Sequence, residues 1–432
     1  MLQAIYPLLV ALLPAVQEKA DWGINVRTPA SFRPLHDAGE LAGTGACATE
    51  ICVARRFGRS ALSTIRALTE QDLPVVANML QQVLRHKNSP APASLVDYMR
   101  SFYLSAPGCG DDINSLVHVT DAGEVSGFIG VHVLPMAWND RKLRAAICSS
   151  FMVAEGNRDP MAGARLMKAF MDGPQDLSFS ETANHISTQM WTRLRGITLP
   201  QYSLDWIRII RPCSFAMSMI GQRFSPARLF NPLAFATDNV WRKRLKPGEA
   251  RWTATAPAGM APVALRTREI NRAEFAELAE PLTAHFALKP HWPTVALDRI
   301  LSDAADKPDW GQFVMASVTT ASGASVGAFA YHALKGGIGR VLQIMSRPGQ
   351  AGAVIDCLVE HAGNRGVAAL RGRTQPELLA AMLTRRTAFL PATATIAHSR
   401  DPALLNAMAH GEAFLNGLAG EEWSRLIGGR FT

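Results

Sequence analysis

The segment from Ile147 to Ala164 carries the residues whose spacing points most directly to chemistry. Ile147 to Val153 is an apolar run with β character that ends in a loop, and Arg158 to Ala164 turns that loop into a helix. Leu166, Met167 and Phe170 mark the buried face of that helix. A helix start offers unpaired N–H groups and a partial positive charge. Gly163 lets the backbone approach an anion closely, and Arg158 adds a charge-assisted donor. The combination suits a pyrophosphate. Two carboxylates follow strands in the same region, Glu155 after the first and Glu181 after the next. Either can take a proton from an amine, directly or through water. Arg208 and Arg211, in YSLDWIRIIRP, form a basic strand end that either holds a substrate anion or pins the chain beyond it. His132 and His332 read as core histidines.

Other chemistries are poorly provided for. The six cysteines form no CxxC pair and no His cluster completes a zinc spacing, so we expect reduced thiols, a cytoplasmic protein and no metal. The formal charge of +8 fits an anionic ligand or simple solubility. No basic stretch is interleaved with aromatics, so no nucleic-acid partner is expected. Leu2 to Val16 is apolar but lacks a positive flank and is too short to span a membrane. It reads as part of a poorly ordered extension over 1–61, and no membrane association is expected.

The elements that must position these residues occur twice. Gly127 and Gly327 are separated by 200 residues, as are His132 and His332. Both pairs lie in predicted hairpins, Ser115 to Leu134 and Gln312 to Leu334. Upstream, strands beginning at Ile65 and Leu265 each lead through a polar turn, Thr69 or Asn271, into an amphipathic helix. This predicts a duplicated domain, with units over 62–222 and 263–398. A linker over 223–262 carries the solvated charge run Trp241–Lys246. A helical tail over 399–432 starts at Pro402 and has Leu404, Leu405 and Met408 on one face. The fold class is α/β, with two consecutive domains and mixed, mostly antiparallel sheets.

In the first unit, AAICSSFMVAEGNRDPMAGARLMKAFM resembles the central strand, pyrophosphate loop and following helix of the acyl-CoA N-acyltransferase (GNAT) family. LSFSETANHISTQMWTRLRGI is similar to that family's next strand and helix. The resemblance implies an acyl-CoA N-acyltransferase, with acetyl-CoA as the expected co-substrate and an amine as acceptor. It implies that Met152 and Val153 offer backbone donors to the pantetheine and acyl carbonyl. Arg158, Gly163 and Ala164 would hold the pyrophosphate, and Asn184 the CoA arm. Met161 departs from the family's glycine, and Trp191 stands where a tyrosine acid is usual, leaving Tyr202 as the nearest tyrosine downstream. The second unit keeps Arg347 and Gly352 but no Asn–Tyr pair, and reads as degenerate. Two other readings stay open: a non-catalytic acyl-CoA-binding or scaffold protein, and an acyl or aminoacyl transferase on a peptidoglycan or polysaccharide precursor.

Overall fold

The computed structural model describes residues 63–106, 112–157, 159–223, 230–245 and 256–432. The extension over 1–61 and Arg158 lie outside the described residues. The strands form two separate sheets, of eight and seven strands.

In the first sheet β1 (Thr64–Ala67), β2 (Leu116–Val119), β3 (Val125–Trp138) and β4 (Arg141–Val153) run antiparallel, and β4 then pairs parallel with β5 (Leu177–Ala183). Helices α1 (Leu73–Met79) and α2 (Ala93–Tyr103) follow β1. α3 (Ala162–Met171) links β4 to β5, and α4 (His185–Arg193) leads from β5 to β6 (Ile197–Thr198). Beyond them come β7 (Leu204–Ile209), α5 (Pro212–Arg223) and α6 (Asn231–Arg244).

The second sheet repeats the plan. It contains β8 (Leu265–Glu269), β10 (Gln312–Thr320), β11 (Ser325–Ala333) and β12 (Ile338–Ser346), with β13 (Ala369–Arg373) parallel to β12. α7 (Arg272–Thr283), β9 (Leu288–Pro290) and α8 (Thr294–Ala305) stand between β8 and β10, and α9 (Ala351–Asn364) corresponds to α3. The chain closes with α10 (Pro376–Leu383), β14 (Ala388–Pro391), β15 (Ala394–Ser399) and α11 (Pro402–Ala409).

Sheet membership does not follow chain order. β7, from the first half, lies in the second sheet between β13 and β14, and two strands of the second half lie in the first sheet, β15 between β5 and β6 and β9 against β3. Each half thus supplies a strand that completes the other's sheet. The two halves share backbone ladders, which a sequence division into consecutive units cannot show.

The matched glycines have one physical cause. A Cβ on Gly127 would lie 2.8 Å from the Leu166 side chain of α3, and one on Gly327 would lie 2.5 Å from Val354 of α9. The helix after the central strand packs so closely on its sheet that only glycine fits beneath it. His132 stacks on Phe102 with ring centroids 5.5 Å apart, and the buried His332 bonds the Ala304 carbonyl through Nε2 at 2.8 Å. Burial pushes His132 down to about 4 and His332 to about 3, so both are neutral packing groups.

Each sheet buries a face under its own helix, against Leu166, Met167 and Phe170 of α3 in the first and Val354, Leu358 and Ala362 of α9 in the second. A larger core joins the two halves and takes in Phe102, Phe128, Phe275, Phe414 and Trp423. The tail is helical only to Ala409. Beyond it, Ala413 to Ser424 runs buried between the sheets. The charge run begins inside α6, and Arg242 is buried, with Nε donating to the Ala256 carbonyl at 3.1 Å. Among the described residues no helix is long and apolar enough to cross a membrane.

Candidate active site

β4 and β5 pair only from Ala145 with Leu177 to Ile147 with Phe179, and then diverge. The divergence coincides with a bulge. Gly130 pairs with Ser150 and Val131 with Cys148, so Ser149 is an extra residue in β4. A bulge bends its strand and increases the local twist. Here it turns β4 away from β5, and the β5-facing edge of residues 148–153 has no ladder partner. The resulting cleft is lined by Cys148, Ser149, Ser150 and Phe151 on one side and by Ser180, Thr182, Ala183 and Asn184 on the other. Leu84, Arg85, Leu426 and Ile427 close its flank, and it encloses about 100 Å³.

Tyr103 supports the bulge from α2. Its hydroxyl lies 3.2 Å from Ser149 Oγ and donates to Ser150 Oγ at 3.0 Å. Its ring covers Gly130, where a Cβ would come within 2.5 Å of the Tyr103 hydroxyl. Burial pushes this phenol well above its ordinary range. No spacing in the sequence marks Tyr103, because α2 reaches β4 only through the tertiary fold.

At the mouth, α3 begins with Gly163 packed against β4 and α4. A Cβ there would lie 3.3 Å from Phe151, 3.4 Å from Met190 and 3.5 Å from Val153. Ala164 follows in the first turn, half-buried. Asn184 caps α4, its Oδ1 accepting from Ser187 N–H at 2.9 Å, and it lines the cleft. The bulge stands three residues before Met152. Met152 pairs with Phe128 and Val153 with Gly127 further out along the strand, and the Met152 side chain points into the shared core.

The proton-transfer candidates are scattered. Glu155 is exposed on the loop after β4, in a separate open depression with His118, Asp159 and Arg165. Asp159 accepts from Met161 N–H at 2.9 Å and pairs with Arg165 and with His118 Nε2. Glu181 is buried and does not line the cleft. Its carboxylate accepts the N–H groups of Gly417 at 3.0 Å, Glu421 at 2.7 Å and Glu422 at 2.5 Å, which fixes the tail against β5. Burial and the nearby Glu421 raise it to about 7. Tyr202 is also buried away from the cleft, donating to the Ala413 carbonyl at 2.7 Å. Trp191 is fully buried in the core beneath α3, edge-on to Phe170, and its Nε1 has no partner.

Arg208 and Arg211 are buried as well. Arg211 donates to Asn239 at 2.7 Å and to the Gly363 carbonyl at 2.9 Å, tying α6 to α9. The structure therefore brings the bulge, Phe151, Gly163 and Asn184 together and leaves Glu155, Glu181, Tyr202 and Trp191 elsewhere.

The second sheet has the same divergence and a closed cleft. β12 and β13 pair from Ile338 with Ala369 to Val341 with Gly372, and Leu342 is the bulge residue. Here the tail fills the gap. Leu418 N–H donates to Gln343 Oε1 at 3.1 Å, and a Cβ on Gly417 would lie 2.4 Å from the Leu342 carbonyl. Gly417 also has φ of 58°, so glycine is required twice over. The loop before α9 is filled too: a Cβ on Gly352 would meet the Arg385 guanidinium at 2.4 Å, and Arg385 is held by Asp356 at 2.9 Å. A cavity of about 30 Å³ remains, lined by Asp205, Arg340, Arg371, Arg373 and Glu422 among others. Among the described residues no group of three His, Cys, Asp or Glu side chains is placed to hold a metal.

No family model matches the sequence, and no curated protein matches it. Solved structures do match in fold. A conserved protein of Enterococcus faecalis V583 described as a probable N-acyltransferase superposes with a TM-score of 0.51 at 11% identity, covering 78% of this chain and 73% of its own. A GCN5-related N-acetyltransferase from Anabaena variabilis superposes with a TM-score of 0.51 at 10% identity, covering 79% and 74%. With the shared strand order, the paired divergences and the central bulges, these likenesses show that the chain adopts the GNAT fold on both of its sheets.

Proposed function

We propose that the protein is an acyl-CoA-dependent N-acyltransferase that works from the first cleft, with acetyl-CoA as the simplest donor and an amine as acceptor. The observation that carries this reading is the open divergence of β4 and β5 at the Ser149 bulge. An extended acyl-pantetheine can lie there as a surrogate strand, its amides meeting the unpaired edge of residues 148–153, Met152 and Val153 included. A thioester carbonyl on that edge is polarised by fixed backbone donors that need no reorganisation. Arg158, with Gly163 and Ala164 at the start of α3, would take the pyrophosphate, and Asn184 would contact the CoA arm. Of the three proton-transfer candidates named from sequence, Glu155 alone is exposed, in a depression separate from the cleft.

A second reading, binding without turnover, is favoured by Trp191. It stands where the family's tyrosine acid is usual, and its indole is fully buried with no hydrogen-bond partner, so it offers no proton to a leaving thiolate. One experiment separates the two. Thermal shift and calorimetry with acetyl-CoA and free CoA test the site, and thiol release from acetyl-CoA across a panel of amines tests turnover. Binding lost with Arg158→Ala supports the assigned loop. Absence of any acetyl-CoA binding overturns both readings.

A further inference from the structure

We propose that Glu421, held behind the wall of the first cleft by the C-terminal tail, is the proton sink for the attacking amine and is reached through the Thr182 hydroxyl. This rests on the acyltransferase reading above. Thr182 and Ser180 line the cleft, and both hydroxyls donate to one oxygen of Glu421, Thr182 Oγ1 at 2.7 Å and Ser180 Oγ at 3.0 Å. The Thr182 N–H reaches the same oxygen at 3.2 Å. The other carboxylate oxygen, Oε2, is buried and has no hydrogen-bond partner.

A buried acceptor left unpaired costs about 1–3 kcal/mol, more when charged, so a carboxylate kept only for packing would be expected to satisfy both oxygens. Glu181, one strand residue away, does so, with three backbone donors shared between its two oxygens. The contrast separates a structural carboxylate from one held ready to accept a proton.

The step balances without a further reactant. As the amine nitrogen bonds the acyl carbon, its proton passes to Thr182 Oγ1 while the Thr182 proton passes to Glu421 Oε1. The C–S bond breaks and the sulfur leaves with the electron pair. Glu421 returns its proton through Thr182 to the thiolate, giving the amide and free CoA thiol. Glu421 is pushed up to about 7, chiefly by burial and against the pull of its donors, which suits a base at neutral pH. The titratable and charged groups around it are Glu181 on β5, Cys148 on β4, Tyr103 on α2 and Glu422 on the tail, with Arg373 of β13 and Lys307 behind Glu181 and Glu422.

The test uses the full chain, acetyl-CoA and ethylamine, with thiol release followed from pH 5.5 to 9 and CoA affinity measured by calorimetry. Glu421→Gln keeps an oxygen for the two hydroxyls and removes the base. We expect turnover to fall about a hundred- to ten-thousand-fold, CoA affinity to change less than twofold, and the ionisation near pH 7 to vanish from the rate profile. Thr182→Val should lose turnover similarly, and Thr182→Ser should restore it, which keeps the proposal testable if the glutamate variant folds poorly. Wild-type turnover and an unshifted profile in Glu421→Gln, or full turnover in Thr182→Val, overturns the relay alone. Acetyl-CoA bound by wild type without thiol release above the solution rate also overturns it. Absence of acetyl-CoA binding instead overturns the acyltransferase reading.

Discussion

The two clefts of this molecule have the same strand geometry and opposite contents. In each, a parallel pair diverges at a bulge in the central strand, at Ser149 in the first sheet and Leu342 in the second. The first keeps a cavity of about 100 Å³, whereas the second, occupied by the protein's own tail, keeps about 30 Å³. The difference lies in the side chains four positions into the outer strand of each pair. Glu181 in β5 gathers three backbone N–H groups of the tail, and Arg373 in β13 donates to the Glu181 and Thr393 carbonyls. Together they hold Gly417 to Glu422 against the Leu342 bulge. A duplicated fold thus keeps one gap open and uses the other as a socket that clamps the halves together.

The tail is the sharpest place to break this arrangement. Trp423 is fully buried between Phe102 and His132. Trp423→Ala should lower stability by about 3–5 kcal/mol, read by urea denaturation. If both halves depend on the socket, the transition stays single, whereas two separated transitions would show that the sheets fold independently.

A matched pair of glycine variants compares the loops directly. Gly163→Val sets a branched side chain against Phe151, Met190 and Val153, and should weaken CoA binding about ten- to hundredfold. Gly352→Val, where Arg385 already fills the loop, should leave CoA affinity unchanged. Calorimetry should also give one site per chain, and two equivalent sites would mean that the second cleft opens in solution.

The buried acids give a pH signature. Glu181 and Glu421 both rise to about 7 through burial. A carboxyl raised above its unfolded value stabilises the fold fully below about pH 4.5 and loses that contribution as pH rises through about 7. Unfolding free energy should therefore decline from pH 5 to 7, by about 2 kcal/mol for each acid that titrates independently. Lys307, lowered to about 7 by burial, acts in the opposite sense at higher pH, adding stability as pH climbs from about 7 toward 10. Glu421→Gln should flatten the decline between pH 5 and 7, and an unchanged slope would locate the effect in other groups.

The smallest expected effect is at Trp191. Its indole N–H has no partner and its ring is buried under α3. Trp191→Phe should cost less than about 1.5 kcal/mol and leave CoA affinity as in wild type. A loss of affinity would show that the indole acts on the cleft through α4.

The sequence by itself determined the parts that depend on local pattern. Alternating apolar runs fixed the hairpins, the spacing of Leu166, Met167 and Phe170 fixed the buried face of α3, and Gly127 with Gly327 marked the duplication. Those glycines were legible because the same close helix–sheet contact recurs at a constant offset. Gly163 and Asn184 were legible because a helix start imposes its own residue types. Only the tertiary structure decided the exchange of β7 and β15, the burial of Glu181, Tyr202 and Trp191, the arrival of Tyr103 at the bulge and that of Glu421 beside Ser180 and Thr182 of β5. Strand exchange depends on which ladder partner lies nearest in space, and periodicity carries no record of that. Glu421 lies 241 residues from Ser180, and a contact at that separation leaves no spacing to read. It exists because the tail has apolar side chains to bury and backbone N–H groups to satisfy, and the space between the two sheets provides for both.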